Sequence, residues 1–406
     1  MDEYLRQNDS YADYEPDVAP EPLTERVCKI LVIGVGGAGN NAVNRMIHAG
    51  IDSAEFVGAN TDKQDLIYCA AKKRVVLGAN LTKGLGAGSN PNIGKKAAEE
   101  TKDVIKELLQ GVDLLFITAG MGGGTGTGAA PVIASIAHDL GILTIAVVTT
   151  PFKFEGERRM AQAEAGINEL KQYVDTLLVV PNDKLLEVMP KGTKVTEAFS
   201  YADEVLRHGI QGIADLIVKQ SMINRDFADV KTVLKEKGFA HIGIGEAEGE
   251  NRTVEAVKKA VNNKLLDTNI SEASAAILFI SGGEDLGLAE VNEAGSMVMR
   301  VLNSDATLIF GADVNPALGN RVVVTIIATG FKHGSQKPMD RFVNRGNYPP
   351  MPVSPKSDIL PNPPESRQSV PDRRPPISEG YPKDDGDGRI RISDNDLPPF
   401  LRKLKR

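Results

Sequence analysis

Two glycine-rich segments have the residue types and the spacing of loops that bind phosphate. The first, residues 34–39 (GVGGAG), follows an apolar stretch and matches the pattern G-x-G-x-x-G. Glu55 follows at about the distance at which an acidic residue binds the ribose of a dinucleotide. This segment alone therefore leaves open the cofactor site of an NAD-dependent oxidoreductase, or a tight turn with no ligand.

The second segment, residues 120–128 (GMGGGTGTG), carries five glycines between positions 122 and 128. Each weakens regular structure by about 0.5–1 kcal/mol, so packing alone is a poor explanation for the run. Backbone N–H groups that converge at the start of a helix bind phosphate, and Thr125 and Thr127 add hydroxyl donors. A third segment, residues 83–91 (KGLGAGSNP), could close over a terminal phosphate.

Two phosphate loops on one sheet favour a nucleoside triphosphate over NAD. The pattern G-x-x-x-x-G-K-[ST] is absent from the sequence, which excludes a P-loop enzyme. The 406 residues include 47 Lys and Arg against 54 Asp and Glu, a net charge of −7 that argues against a protein that coats nucleic acid non-specifically. Only two cysteines are present, so neither a disulfide framework nor a Cys-rich zinc site is expected.

The elements that position these loops are predicted from apolar patterning. Continuous apolar runs at 27–33, 114–118 and 143–149 are typical of parallel strands covered on both faces, with ligand at their carboxyl ends. Apolar residues spaced by three and four over 198–223 predict one long helix, and shorter helices are predicted over 40–49 and from Ala129 onward. Further strands at 275–280 and 321–328 predict a second, smaller domain.

Composition changes sharply at both ends of the chain. Residues 1–25 hold eight acidic side chains and one basic side chain, and 14 of the 23 prolines lie between positions 338 and 399. Such segments bury too little apolar surface to order themselves. The sequence therefore predicts a disordered acidic arm (1–26), a nucleotide-binding domain (27–197), a central helix (198–223), a C-terminal domain (224–331), a disordered linker (332–393) and a C-terminal tail (394–406).

The glycine-rich run at 122–128 (GGGTGTG) matches the tubulin signature in its prokaryotic form, and the chain resembles the FtsZ family of bacterial tubulin-like cell-division GTPases. The resemblance extends from about residue 27 to 331 and resumes in the last dozen residues. It includes residues 60–62 (NTD), 151–156 (PFKFEG), 181–184 (PNDK) and 224–229 (NRDFAD). It implies a tubulin-like α/β fold, in which a parallel-sheet GTP-binding domain is joined by a long central helix to a smaller α+β domain.

The resemblance implies a set of residues that contact GTP or GDP. Glu155 and Arg159 would contact the sugar and phosphates, Asn182 and Asp203 would bind the guanine edge, and Phe199 would stack on the base. Without the family, an exposed helical pair of Glu155 with Arg159 and a core position for Phe199 are the better interpretations. The full set is Gly36, Gly37, Ala38, Asn40, Asn41, Gly122, Gly123, Gly124, Thr125, Gly126, Thr127, Gly128, Pro151, Glu155, Arg159, Asn182, Phe199 and Asp203.

Catalysis would come from Asn224, Asp226 and Asp229, which follow the long helix. Two carboxylates three residues apart can polarise a water for attack on a γ-phosphate, although an exposed helix cap is the plainer interpretation. The long helix would separate them from the nucleotide of their own chain. A head-to-tail neighbour would supply them, so the implied mechanism is GTP-dependent polymerisation with hydrolysis at each junction. Mg²⁺ would neutralise the triphosphate, and the sequence names no protein ligand for it.

The C-terminal tail resembles the partner-docking tail of the family, with Leu397, Phe400 and Leu401 on one apolar face. It implies recruitment of membrane-tethering and other division proteins by a cytoplasmic filament at the midcell division site, with no membrane span and no nucleic-acid partner. A plain disordered end is the alternative. A tubulin-like filament for plasmid segregation and a Rossmann oxidoreductase are the competing functions.

Overall fold

The computed structural model describes residues 28–189, 192–218, 227–262 and 270–331. The predicted arm, linker and tail lie outside these residues, and so do Asn224 and Asp226 of the predicted catalytic group. The predicted domain boundaries therefore stay predictions.

The described residues form one mixed sheet, in the order β3-β2-β1-β4-β5-β6-β7-β10-β8-β9. Neighbouring strands are parallel except where β10 pairs with β7 and with β8. The strands are β1 (Ile30–Val35), β2 (Glu55–Asn60), β3 (Lys73–Val76), β4 (Leu114–Gly120), β5 (Leu143–Thr150), β6 (Thr176–Pro181), β7 (Gly238–Glu248), β8 (Ala275–Gly282), β9 (Thr307–Val314) and β10 (Arg321–Thr329).

Helices cover both faces of this sheet, as the continuous apolar strands predicted. In the part of the chain that the structure describes they are α1 (Gly36–His48), α2 (Lys63–Ile67), α3 (Ala79–Thr82), α4 (Pro91–Glu100), α5 (Lys102–Leu108), α6 (Thr125–Asp139), α7 (Glu157–Leu170), α8 (Asn182–Val188), α9 (Val195–Val218), α10 (Phe227–Leu234), α11 (Arg252–Val261) and α12 (Leu288–Val301).

Successive residues of each buried strand point to opposite cores. On β4, Phe116 packs in the core beneath α1, α9 and α10, whereas Ile117 packs in the core beneath α4, α5, α6 and α7. A third core joins β8 and β10 to α11 and α12. The register places the carboxyl ends of β1, β4, β5 and β6 at one edge, with Val35 beside Ala119 and Thr150 beside Pro181.

Several element boundaries differ from the sequence predictions. Helix α1 begins at Gly36 rather than at residue 40, and α6 begins at Thr125 rather than after residue 128, so both glycine segments form the first turns of their helices. The central helix begins at Val195 and is described to Val218. The sheet also continues into the C-terminal half, because residues 176–178 of β6 pair with residues 238–240 of β7.

Candidate functional site

The two glycine segments lie against each other at the carboxyl edge of the sheet. Gly36 has a φ of +73°, and a Cβ added there would lie 3.1 Å from the backbone nitrogen of Gly126. A Cβ on Gly126 would in turn lie 2.6 Å from the carbonyl oxygen of Gly120. A side chain at either position would therefore press on neighbouring backbone at the starts of α1 and α6. The structure therefore brings the two glycine segments into contact at this edge.

Gly122 brings the second loop against the segment that follows β5. Its φ is +96°, and an added Cβ would lie 2.6 Å from Pro151 Cγ and 2.7 Å from the carbonyl oxygen of Arg159. Its N–H donates to Thr127 Oγ1 at 2.8 Å. Thr127 is buried and supports the loop from within, whereas Gly123 is partly exposed. The open side of this loop is thus formed by backbone.

The third segment packs on the second, as its predicted closing role requires. A Cβ on Gly124 would lie 2.8 Å from Ala87 Cβ and from the Asn90 nitrogen. The Thr61 and Thr125 hydroxyls are 2.6 Å apart. Three stretches of chain that are distant in sequence therefore converge on one cradle. Gly128 is different, because an added Cβ would collide with the backbone of α4, so close helix packing requires a glycine there.

Arg159 lies at the rim of this cradle and is paired with Glu155. Its Nη1 donates to Glu155 Oε2 at 2.5 Å, which is the i,i+4 pair considered from the sequence. The other oxygen of Glu155 accepts the N–H of Phe152 at 2.9 Å and caps a short 3₁₀ turn, Lys153–Glu155. The Nη2 atom of Arg159 lies 3.9 Å from where a Cβ of Gly123 would be. The pair thus directs a guanidinium toward the second glycine segment.

A second cluster lies between α1 and the start of α9. Phe199 is 41% exposed, and its ring meets the buried Phe152 edge to face, with centroids 5.2 Å apart. One turn further along α9, Asp203 accepts a hydrogen bond from Arg45 Nε at 2.8 Å. Burial raises the pKa of the Asp203 carboxyl, and the Arg45 guanidinium opposes that shift. The site thus offers a half-exposed aromatic ring and a shielded carboxylate side by side.

Unpartnered polar atoms mark further positions of the site. Asn182, the first residue of α8, is buried, and its Oδ1 has no hydrogen-bond partner among the described residues. Asn40 is also buried without partners for either amide atom. Its Oδ1 lies 3.3 Å from the position of a Gly58 Cβ, which places it under α1, whereas Asn41 is exposed. Asn41 is therefore more accessible than Asn40, and Ala38 on the same helix is exposed as well.

Asp229 lies at the opposite edge of the sheet from the glycine loops. It is exposed in the first turn of α10. The last residue of that helix, Leu234, accepts the hydroxyl of Thr176, the first residue of β6. Strand β6 spans about 16 Å, and the stretch of α9 from Asp203 to Val218 spans about 22 Å. The structure therefore does not bring Asp229 to the loops of its own chain.

Sequence reasoning missed Arg45, Ser200 and Thr61 as parts of these clusters. Arg45 Nη2 donates to Ser200 Oγ at 2.8 Å, so one guanidinium binds two residues of α9. A signal for Arg45 existed, since it follows Asn41 by four residues and shares its helix face.

Two structural absences bear on cofactors and on the membrane. Within the described ranges, no three His, Cys, Asp or Glu side chains come together as a metal site would need. None of the helices that the structure describes is both long and apolar enough to cross a membrane.

Comparison with known proteins gives two family matches that follow one another along the chain. The profile of the Tubulin/FtsZ family, GTPase domain, matches residues 29–190. That of the FtsZ family, C-terminal domain, matches residues 238–332.

Solved structures agree. An empty FtsZ dimer from M. jannaschii is 47% identical, with a TM-score of 0.74, over 77% of this chain and 93% of that one. A mutant FtsZ from the same organism is 48% identical over 76% and 93%, also with a TM-score of 0.74. CetZ2 from Haloferax volcanii, a GTPγS-bound protofilament, is 22% identical over 78% and 97%, with a TM-score of 0.66, and shows the fold alone. The chain therefore belongs to the Tubulin/FtsZ family, has its tubulin-like fold, and is a GTPase that binds GTP and GDP.

Proposed function

We propose that this GTPase polymerises head to tail and hydrolyses GTP at the junction between two subunits. The observation that carries the proposal is the separation of Asp229 from the glycine loops, which lie at opposite edges of one sheet. A carboxylate that polarises the attacking water must lie within hydrogen-bond reach of it. One chain cannot satisfy this requirement, whereas the α10 end of one copy placed on the loop end of another can.

Exposed apolar side chains around the loops support the same arrangement. Leu85, in the third segment, is 80% exposed, and Phe154, which stacks on Phe152, is 67% exposed. Tyr68, whose carbonyl accepts the side chain of Asn44 from α1, is 82% exposed. Such a group at the rim of a site is typical of a surface that another protein covers. The FtsZ relative from M. jannaschii is described as a dimer, which agrees with self-association.

A contact between two different surfaces of identical subunits does not close on itself. It leaves one free end of each kind, so each added copy exposes a new site for the next. The resulting assembly is a filament, and we propose that this filament forms the bacterial division ring. Hydrolysis at a junction would remove the γ-phosphate that holds the third segment and would weaken that junction.

Within each pocket, we propose that the two glycine loops hold the phosphates through backbone N–H groups, with Arg159 as a charged donor. Asn182, Phe199 and Asp203 would hold the guanine base. The unpartnered Oδ1 of Asn182 fits a bound nucleotide, and the close approach at Gly36 holds the backbones of the two glycine loops together. The remaining assigned residues, Gly37, Ala38, Asn40, Asn41, Gly123, Gly124, Thr125, Gly126, Thr127, Gly128, Pro151 and Glu155, would line or support the pocket.

Mg²⁺ is proposed as the counterion of the bound triphosphate, where it would neutralise charge on the transferred phosphoryl group. The described residues hold no cluster of metal-binding side chains. Such a cation would bind through phosphate oxygens and keep several waters.

Residues 394–406 lie outside the described residues, and their role is proposed from the sequence. Leu397, Phe400 and Leu401 would dock membrane-tethering division proteins, which would hold a cytoplasmic filament at midcell. About 60 linker residues separate this segment from residue 331. Deleting 396–406 should therefore leave GTP turnover intact while abolishing recruitment by membrane-anchored partners. Loss of turnover on deletion would contradict this separation of roles. A tubulin-like filament for plasmid segregation would not be expected to carry such a docking tail.

The shared site is tested by mixing two inactive variants. Asp229→Ala keeps its nucleotide pocket, and Gly124→Ala keeps its Asp229. Each should turn over GTP slowly alone, because every junction lacks one half. In a mixture, junctions that combine both intact halves should hydrolyse GTP faster than the sum of the separate rates. Asp103→Ala, which removes an exposed acid from the first turn of α5, is the matched control and should retain full turnover.

Co-sedimentation must accompany the rates, since a variant that does not enter filaments cannot complement. Two results together would place the carboxylate and the nucleotide in one chain. One is a co-sedimenting mixture whose GTP hydrolysis rate does not exceed the sum of the separate rates, and the other is an Asp229→Ala subunit that hydrolyses GTP more slowly than wild type even as a dilute monomer. The junction mechanism would then be wrong.

A further inference from the structure

The side chain of Arg45 joins α1 to α9 through a two-pronged contact. Its Nε donates to Asp203 Oδ2 at 2.8 Å, and its Nη2 donates to Ser200 Oγ at 2.8 Å. The Ser200 hydroxyl in turn donates a hydrogen bond to the carbonyl oxygen of Thr196 at 2.8 Å. The planar guanidinium is thus held at two points one helical turn apart, a geometry that a lysine ammonium cannot reproduce. The contact therefore fixes both the position and the orientation of the Asp203 carboxylate.

The surroundings of Asp203 otherwise oppose its charge. Its side chain is only 13% exposed, so the carboxylate has lost most of its hydration. Burial raises the pKa of Asp203, the adjacent Glu204 raises it further, and Arg45 lowers it. Arg207, one turn along α9, forms an ion pair with Glu204 at 2.8 Å. His208, next to Arg207, stays neutral because burial lowers its pKa to about 4. Among the described residues, Arg45 is thus the cation that contacts this carboxylate.

The charge on this carboxylate matters for the base that it would bind. A guanine edge presents two adjacent donors, the N1–H and the 2-amino group, and an ionised carboxylate accepts from both. When the carboxyl group is protonated, one of its oxygens becomes an O–H donor. That oxygen no longer accepts a hydrogen bond and faces an N–H donor of the base. We propose that Arg45 is the positioning residue for guanine specificity, because it holds Asp203 as an oriented, charged acceptor. This inference rests on the proposed role of Asp203 in binding the base.

The test compares GDP with inosine diphosphate, which lacks the 2-amino group. Dissociation constants are measured by calorimetry on the full chain, near pH 8 and near pH 6, for wild type, Asp203→Ala, Arg45→Gln and Arg45→Lys. Lys73→Gln is the matched control, since it breaks an exposed ion pair of the same 2.8 Å length, with Glu55. Melting temperatures of the nucleotide-free proteins separate folding from binding. Arg45→Met replaces Arg45→Gln if that variant does not fold.

Wild type should prefer GDP by about tenfold or more, since one hydrogen bond to a charged group is lost with inosine. Asp203→Ala should abolish the preference at both pH values. Arg45→Gln should lose about tenfold in GDP preference near pH 6 and less near pH 8. In this variant the Asp203 carboxyl has no Arg45 partner and takes up a proton at the lower pH. Arg45→Lys should restore the pH profile in part, and Lys73→Gln should match wild type.

Two failures are distinguishable. If Asp203→Ala removes the preference while Arg45→Gln keeps it at both pH values, Arg45 only links the helices and the inference is overturned. If Asp203→Ala itself keeps the preference, the proposed role of Asp203 is wrong as well.

Discussion

Gly122→Ala should disable the nucleotide site by a steric route whose size follows from the structure. At a φ of +96°, an alanine costs about 1–2 kcal/mol relative to glycine. The new methyl group would lie 2.6 Å from Pro151 Cγ and 2.7 Å from the Arg159 carbonyl oxygen, about 1 Å inside normal contact. Overpacking of this kind costs about 1–3 kcal/mol. The free energy of unfolding should therefore fall by about 2–5 kcal/mol.

Gly249→Ala separates the two contributions. Gly249 has a φ of +86°, but nothing lies within 4 Å of its added Cβ, and it occupies the turn between β7 and α11. This variant should lose only the backbone contribution, about 1–2 kcal/mol. The stabilisation that alanine gives by restricting the unfolded chain is common to both variants and cancels in the comparison. The difference between them measures the contact with Pro151 and Arg159.

Urea denaturation of the nucleotide-free proteins gives the free energies, and calorimetry with GDP gives the affinities. Gly122→Ala should bind GDP at least about tenfold more weakly, because relief of the contact must displace the phosphate loop or Arg159, whereas Gly249→Ala should bind GDP as wild type does. Equal unfolding midpoints for the two variants, with GDP affinity preserved in both, would refute the steric reasoning.

Three further predictions address groups with unusual surroundings. Asn182→Ala should weaken GDP binding by about 1–2 kcal/mol in calorimetry, yet change the stability of the free protein little, because the buried Oδ1 has no described partner to lose. Glu290→Gln should destabilise by about 3 kcal/mol in urea, since it removes the negative charge and one of the two oxygens that accept from the buried Arg252. Glu55→Gln, in an exposed pair, should cost under about 1 kcal/mol. Arg252 lowers the pKa of Glu290 to about 2, so the wild-type stabilisation should be complete above about pH 4.5 and disappear toward pH 2, a slope that the variant lacks. Burial lowers the pKa of His208 to about 4, so between about pH 4 and 6.5 the unfolded chain binds a proton that the folded chain does not, and wild-type stability rises with pH. In His208→Gln the melting temperature should therefore depend less on pH over this range.

The sequence predicted the parts of the fold that depend on local pattern. Continuous apolar runs identified β1, β4 and β5, and their parallel pairing is confirmed by the register. The long helix was recognised from its apolar spacing. Helix starts were misplaced because glycine counts against a helix in any propensity argument, whereas the first turn of α1 needs glycine at position 36, where φ is +73°. The pattern of glycines showed the cradle but not which residues belonged to the helix.

Contacts between distant parts of the chain were beyond the reach of the sequence. Arg45 and Asp203 are 158 positions apart, and nothing in the local sequence of either residue predicts that they pair. The continuity of the sheet from β6 into β7 depends on three paired residues, too short a match to read from composition. The exposure of Asn41 and the burial of Asn40 depend on which face of α1 meets β2, and the glycine motif leaves that open.

The separation of the two halves of the proposed active site follows from the direction of the strands. In a parallel sheet all carboxyl ends meet at one edge, so every loop that follows β1, β4, β5 or β6 gathers there. A helix bonded to the first residue of β6 lies at the other edge, and α10 is bonded in this way through Leu234. No rearrangement of side chains can join Asp229 to the loops within one chain while the sheet persists. If Asp229 polarises the attacking water as proposed, hydrolysis depends on assembly, and the site that consumes GTP would exist only where one subunit has met the next.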